Sequence, residues 1–426
     1  MTLILFGVFF LLVFLNVPIA VSLGLTAMIG LKVGGFAFSM FPNVMYASIG
    51  KFALLAIPFF VLAGSIMEYA GISQRLVTFA RTCVGHRKSG MLAVTVIVCC
   101  FFAAISGSGP ATVAALGTIL IPAMVKQGYD RGTSTALLSA SGAIGIIIPP
   151  SIAFVVYASC TGASVGALFS AGIIPGILVG VSYLIAAMFA SKGVEVETLP
   201  KASAKERWAA FKDAFWALLM PVIILGGIYG GIFTPTEAAG VSVIYGLFVG
   251  IFIYKEIHAK ELYKVFVNSA VSSATIMYII ACAAVYAWIM TTSGVAADLS
   301  AAILSISSNK IIILMIINVI FLIAGCFLDA NSAFYILLPI IVPVLSSIGV
   351  NLVHAGVFLT VNMAIGLVTP PVGINLYVGC KAGDVSVAEI CKKIIPFLIA
   401  GVISLLIITY IEPVSLFLPK FFGQAV

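Results

Sequence analysis

The chain has 426 residues, of which 62% are hydrophobic and only 8% charged, where a soluble protein of this length carries roughly 25% charged residues. Nine of its charged side chains fall within 191–213, so too few remain elsewhere to cover a water-soluble globule, and that class is excluded. The net charge of +7 comes from Lys and Arg lying between apolar runs, as the positive-inside rule expects of cytoplasmic loops, and not from a nucleic-acid footprint.

Runs of about 20 apolar residues, the length an α-helix needs to cross a bilayer, recur along the whole chain. In order they cover 3–31, 52–70, 91–125, 134–157, 165–190, 215–233, 238–254, 265–290, 311–348, 354–378 and 394–412. They are continuous and do not alternate with period two, which excludes a β-barrel. The reading is an all-α polytopic protein in the lipid bilayer. Met1–Gly30 is apolar with no basic n-region and reads as a retained first span. Segment 91–125 is too long for one crossing and is interrupted at Ser106-Gly107-Ser108-Gly109-Pro110; 311–348 is interrupted at Leu328-Asp329-Ala330-Asn331-Ser332. Each predicts a re-entrant helical hairpin with its polar tip inside the membrane. Two further spans are broken by glycine and proline, at Gly142 to Pro150 and at Gly366 to Pro371. Lipid cannot satisfy the backbone groups such breaks release, so they persist only where protein, ions or water do.

The breaks repeat. Adding 221 to Pro122, Gly128, Gly145, Pro149, Pro150, Gly162 and Pro175 reaches Pro343, Gly349, Gly366, Pro370, Pro371, Gly383 and Pro396, with 13 identities in 54 ungapped positions. Ser108 falls opposite Asp329. Each copy is a hairpin, a broken span and a closing helix. Arg75, Arg81, Arg87 and Lys88 precede the first hairpin, Lys126 and Arg131 follow it, and Ala158–Gly166 carries no charge. In the second copy the charges come late, at Lys381, Lys392 and Lys393. Five crossings separate the hairpins, so the copies are expected to be inverted. The resulting division is 1–70 and 214–292 as scaffold helices, 71–190 and 293–426 as the two transport halves, and 191–213 as a charged cytoplasmic linker.

Inverted repeats with discontinuous helices are the architecture of secondary transporters, whose sites lie near the midplane. Helix ends left in the membrane offer N–H groups that suit carboxylates, and carbonyls that, with hydroxyls, suit Na⁺. No Lys or Arg lies in a predicted span core, so an anionic substrate must be held by helix ends, hydroxyls and bound cations. Each feature also has a structural alternative: a tight glycine turn at 106–110, a proline kink at 145–150, and a helix cap at Asp329. Asp329 would repel a carboxylate and is assigned to Na⁺-side electrostatics or a substrate hydroxyl. Thr234-Pro235-Thr236-Glu237 is a capping box, so Glu237 reads as structural. Glu68 reads as an interface residue. Eight cysteines without CxxC spacing read as free thiols, and three histidines, His86, His258 and His354, with no ligand spacing argue against a transition-metal site. No GxxxxGK[ST] P-loop occurs. An intramembrane serine hydrolase at Ser106 or Ser108 lacks an activating base, and the chain reads as a non-enzyme. A channel or a stand-alone anion exchanger is the alternative of a different class.

The stretches SGSGPATVAALG, GAIGIIIPP, GIFTPTEAA and GLVTPPVGINLY resemble the large membrane subunit of tripartite ATP-independent periplasmic (TRAP) transporters, over essentially the whole chain. The resemblance implies an elevator-type carrier of the bacterial inner membrane that takes up an organic acid with Na⁺. It implies two partners, a small four-helix membrane subunit and a periplasmic substrate-binding protein. Carried onto this chain, one Na⁺ site would use Ser106, Ser108, Gly145 and Ile148, and a second Gly325, Gly366 and Thr369. Substrate binding or coupling would involve Ser108, Gly109, Pro149, Pro150, Ser151, Asp329, Asn331 and Pro370. Sialic acid is the expected substrate, with a C4-dicarboxylate or related carboxylate next.

The reversal of Lys and Arg counts places the 71–90 and 191–213 loops in the cytoplasm and Ala158–Gly166 outside. In a background cleared of native thiols, Ala163→Cys should react with a membrane-impermeant maleimide applied from outside. Labelling from the cytoplasmic side alone would reverse the topology.

Overall fold

The computed structural model describes residues 1–197 and 200–425; residues 198 and 199 of the charged linker, and residue 426, lie outside the described residues. These residues form helices joined by turns, and seven helices are long and apolar enough to cross a membrane alone. The chain is a multi-pass membrane protein.

The first hairpin pairs Gly90–Ser106 with Gly109–Lys126. Gly107 ends the first arm at φ +61°, a left-handed conformation that costs glycine little. Ser108 is extended and opens the second arm, with Pro110 in a first turn that has no need of its N–H. The first broken span is Arg131–Ala143, a short 3₁₀ turn at Ile144–Ile146, then Ile152–Thr161, and the closing helix is Val165–Ala190. The second copy has Lys310–Gly325 with Ala330–Ser347, Leu352–Gly366 with Ile374–Gly383, and Ile395–Tyr410. Its hairpin unwinds earlier than expected, at Cys326–Asp329, and Asn331 and Ser332 are already helical. The cause is Asp329, which caps the second arm and so starts it.

The repeat register survives in three dimensions. Ser108 and Asp329 are both N-caps of the returning hairpin arm, and Arg131 and Leu352 both open a broken span. The two broken spans lie against each other in opposite directions. Gly379 meets Ser139 and Gly383 meets Thr135, where an added Cβ atom would collide with the hydroxyl oxygen. At the other end the Tyr157 hydroxyl donates to the Leu352 carbonyl at 2.7 Å. Numbers rise along one strand of this contact as they fall along the other, so the copies are inverted. Small residues let the backbones approach this closely without the hydrophobic driving force available in water.

A second group of helices packs outside this core: Ile19–Val33, Ala56–Tyr69, Ala204–Tyr229, Pro235–Phe248 and Ala259–Thr292. The expected first span, Met1–Gly30, is corrected here. It is two helices, Thr2–Phe14 and Ile19–Val33, turned back on each other so that Leu5 reaches Gly30. Asn16 at φ +62° and Pro18 make the turn, and 13 residues of helix are shorter than a bilayer. Ile72–Val84 follows as a helix with one charged face. Its Arg75 lies over the Tyr254 ring at 4.0 Å and pairs with Asp213 and Glu256 at 3.3 and 3.2 Å, tying it to the helix Ala204–Tyr229 and to the turn after Pro235–Phe248.

Asp130 joins the two copies near the membrane surface. It caps Arg131–Ala143 through the Thr133 N–H and hydroxyl, each at 2.8 Å, and pairs with Lys393 at 3.0 Å. Burial works to raise its carboxyl, but the Thr133 bonds and Lys393 outweigh it and hold it below the ordinary carboxylate value. The stability it contributes is therefore present above that value and lost as pH falls through the depressed one. Asp130→Ala should cost about 1 kcal/mol at neutral pH, the usual worth of an N-cap, measured by thermal unfolding in detergent. The gap to the parent protein should close as the pH drops through the carboxylate range; a gap that stays constant would refute this.

Candidate functional site

Each hairpin tip is seated on the break of its own copy, backbone to backbone. A Cβ on Gly145 would lie 2.8 Å from the Ser108 carbonyl oxygen and 3.1 Å from the Gly109 nitrogen. Gly107 is as close to the Pro150 carbonyl, at 2.8 Å. The Ser106 hydroxyl lies 3.0 Å from that of Thr112 and donates to the Ser108 carbonyl at 3.3 Å, while Thr112 donates to the same carbonyl at 2.8 Å. Ser106, Ser108 and Gly145 therefore converge on one point. Ile148 sits at the end of the break with its side chain against Gly176 of the closing helix, leaving only its backbone to serve a site.

The second copy uses glycine against glycine. A Cβ on Gly366 would lie 2.5 Å from the Gly325 Cα and 2.7 Å from its carbonyl oxygen. Thr369 follows within a turn; its N–H bonds to the Gly366 carbonyl at 3.0 Å and its hydroxyl to the Ile365 carbonyl at 2.7 Å. Gly325, Gly366 and Thr369 are thus brought together.

Between the tips lies a cavity of about 250 Å³. Ser108 and Pro110 of the first hairpin, Asp329 and Asn331 of the second, and Ile276 and Ile279 of the outer helix Ala259–Thr292 all face it. Gly109, Pro149, Pro150, Ser151 and Pro370 do not line it. The Ser151 hydroxyl is fully buried and bonds to the Ile146 carbonyl at 2.5 Å, while accepting the Phe154 N–H. Asp329 does cap the hairpin: one oxygen accepts the Asn331 and Ser332 N–H groups at 3.0 and 3.4 Å, the other the Ser332 hydroxyl. Glu237 forms the expected capping box, accepting the Thr234 N–H and hydroxyl at 2.8 Å each.

A second cavity of about 150 Å³ shares Ser108, Ile152 and Ile276 with the first and extends to Ser65, Glu68 and Ser272. Sequence reasoning missed this outer wall. Ile276 and Ile279 sit on a helix that also exposes Val267, Val271 and Tyr278, so apolar residues mark no one side of it. Gly64 carries more signal in retrospect, since a Cβ there would lie 3.3 Å from the Ser106 Cα. Asn375 was also missed: it is fully buried and its amide donates to the Ser139 carbonyl at 3.1 Å, joining the second break to the first.

Residues 6–414 match the family described as "Tripartite ATP-independent periplasmic transporter, DctM component". The chain is 42% identical over 417 residues to the isethionate TRAP transporter permease protein DctMQ of Oleidesulfovibrio alaskensis, covering 97% of this chain and 66% of that relative. The chain thus spans just under two thirds of that relative's length. It is 37% identical to the C4-dicarboxylate TRAP transporter large permease protein DctM of Rhodobacter capsulatus, covering 99% of both. It is 35% identical to the sialic acid TRAP transporter large permease protein SiaM of Vibrio cholerae, covering 96% of both. Among solved structures, the YdaH transporter of Alcanivorax borkumensis superposes with a TM-score of 0.60 at 14% identity, over 89% of this chain and 88% of that one. At that identity the likeness is one of fold.

Glycine at the two seats is a steric requirement. Gly366→Ala should destabilise the folded protein by roughly 1–3 kcal/mol, the cost of overpacking, because its neighbour is Gly325 backbone, which has no rotamer to change. Gly162→Ala, at a turn with φ +77° and open space, should cost less. Thermal melts of the two variants in detergent, ranked the other way, would refute the seating.

Proposed function

This chain belongs to the DctM-component family of tripartite ATP-independent periplasmic transporters, and from that premise we propose that it carries an organic acid into the cell, driven by Na⁺. The carrying observation is the cavity between two hairpin tips, each seated on a glycine break. The two seats gather the groups that hold Na⁺ in water-poor sites: carbonyls and hydroxyls from Ser106, Ser108, Gly145 and Ile148 in one copy, and from Gly325, Gly366 and Thr369 in the other. The copies differ where Ile148 stands opposite Thr369, so the two cation sites are unequal. Substrate sits in the cavity against Ser108, Asp329 and Asn331, and the core moves it across by an elevator displacement against the outer helices. A small membrane subunit and a periplasmic binding protein complete the transporter in the bacterial inner membrane. Sialic acid is the substrate favoured by the sequence reading. A relative at 35% identity bears that name, and others bear isethionate and C4-dicarboxylate.

Uptake should be electrogenic and independent of ATP. A monoanion carried with two Na⁺ moves one net positive charge inward, which gains about 2.3 kcal/mol per 100 mV of inside-negative potential. Proteoliposomes holding the chain, its small subunit and its binding protein should accumulate substrate in Na⁺ and not in choline, faster as the potential grows. Ser106→Ala and Thr369→Ala should each raise the Na⁺ concentration for half-maximal uptake several-fold, the rough worth of a lost hydroxyl contact. Glu237→Gln, which still caps its helix, should be nearly silent. Undiminished uptake without Na⁺ would refute the coupling.

A further inference from the structure

The Asn375 side chain reaches from the second break to the first. Its amide donates to the Ser139 carbonyl at 3.1 Å, and Ser139 lies in the last turns of Arg131–Ala143, which lead into Gly145 of the first seat. Its backbone N–H bonds to the Leu367 carbonyl at 3.0 Å, closing the unwound stretch that carries Thr369 of the second seat. The same amide lies against the first hairpin tip. A Cβ on Gly109 would come within 3.2 Å of both its nitrogen and its oxygen, and within 3.1 Å of the Leu367 side chain. Gly109 also abuts Gly145, whose Cβ would fall 3.1 Å from the Gly109 nitrogen. The tip is thus wedged between the two breaks. Two groups at this contact are open. The Asn375 oxygen is fully buried without a donor, and the Gly109 N–H has no acceptor among the described residues. The equivalent residue of the first copy, Phe154, turns instead to Gly172 of its own closing helix.

We propose that Asn375 is a positioning residue that couples the two cation sites, so that an ion in either seat strengthens binding at the other. The proposal rests on the Na⁺-driven reading above and adds to it the residue that links the ions. A cation held by Ser106, Ser108 and Gly145 fixes the first tip. The fixed tip sets Gly109 against the Asn375 amide, where the open N–H and the orphaned oxygen satisfy each other. Asn375, anchored on Leu367, then holds the second break in the form that presents Gly366 and Thr369. Close-packed backbone transmits such a shift because it has no space to absorb it. Linkage makes the effect mutual, so an ion in the second seat favours the first equally. Phe154 offers no such amide, so a single substitution at Asn375 removes the link.

Direct binding of radiolabelled Na⁺ to the purified complex with its small subunit tests this, with choline holding the ionic strength. Independent sites give a Hill coefficient of one or below, so a value above one reports coupling. The parent complex should bind two ions with a coefficient well above one, from a coupling on the order of tenfold. Asn375→Leu keeps the size of the side chain and removes the amide. It should still bind two ions at saturation, with the coefficient falling to one or below. Asn375→Ala, which adds no atom to the tight contact, should do the same and serves where leucine does not fold. Thr369→Ala should weaken the binding of both ions when Asn375 is present, and of one ion in the Asn375→Ala background. Melting in choline, without Na⁺, reads what Asn375 contributes to stability alone. A lower melting temperature with undiminished cooperativity in either variant would make Asn375 purely structural and overturn the inference. A parent coefficient of one or below would also overturn it, while leaving the Na⁺ coupling standing. No Na⁺ binding by the folded complex would overturn both.

Discussion

A helix that stops inside a membrane releases N–H and carbonyl groups that lipid cannot satisfy, and this structure answers by pressing its unwound segments onto one another. Gly366 approaches Gly325 so closely that a methyl group could not be inserted, and Ser108 does the same to Gly145. Each contact brings the backbone of a hairpin tip against the backbone of a break. Steric exclusion of side chains and exposure of backbone polarity are thus one arrangement. The cavity exists because two such seats face each other across the crossing of the broken spans.

The shared backbone then carries two different chemistries. Positions 221 apart hold Ser108 and Asp329, Ile148 and Thr369, Phe154 and Asn375. Phe154 packs in the fully buried core, whereas Asn375 bridges to the Ser139 carbonyl of the opposite copy. An apolar interior makes an unsatisfied polar atom costly: Ser108 and Asp329 face the cavity, Thr369 bonds to the Ile365 carbonyl, and the Asn375 amide N–H bonds to Ser139 while its oxygen has no donor among the described residues. Inversion gives the fold its two-fold form. Divergence at a few positions leaves the two tips chemically unlike where they face the cavity, Ser108 on one side and Asp329 on the other.

Much of this was legible in the sequence, and the reasons are physical. Glycine and proline interrupt helices by mechanisms that do not depend on tertiary context, so the first hairpin, the breaks and their repeat could be read from Ser106–Pro110 and from the glycines and prolines that recur 221 residues apart. The capping box at Thr234–Glu237 was equally local. Reading failed where the signal was relational. Met1–Gly30 looks like one span because Asn16 and Pro18 are a weak interruption, and only the Leu5–Gly30 contact establishes the turn. Asp329 was legible as a cap and as a site residue, and it is placed to act as both. Ile276 and Ile279 were invisible, since an isoleucine facing a substrate cavity and one facing lipid are the same residue in the same pattern.

The boundary between core and outer helices bears on how the cavity could change sides. Outer helices Ala56–Tyr69 and Ala259–Thr292 meet the hairpins through residues such as Gly64 and Ile276. One hydrogen bond among the described residues joins the outer group, Thr2–Tyr69 and Ala204–Thr292, to the core, Gly90–Ala190 and Lys310–Tyr410. It runs from the exposed Lys51 ammonium to the Ser159 carbonyl at 2.6 Å. Within the core, by contrast, Asn318, Asn362 and Thr409 form a fully buried chain of hydrogen bonds at 2.8 and 3.1 Å. Dispersion contacts between smooth apolar faces are re-formed after a slide, whereas directional bonds must be broken first. Displacement along the outer boundary therefore disrupts less than any rearrangement inside the core. That difference favours rigid movement of the core, which would carry the tips past the outer wall at Ile276 and Ile279, over local gating at either tip.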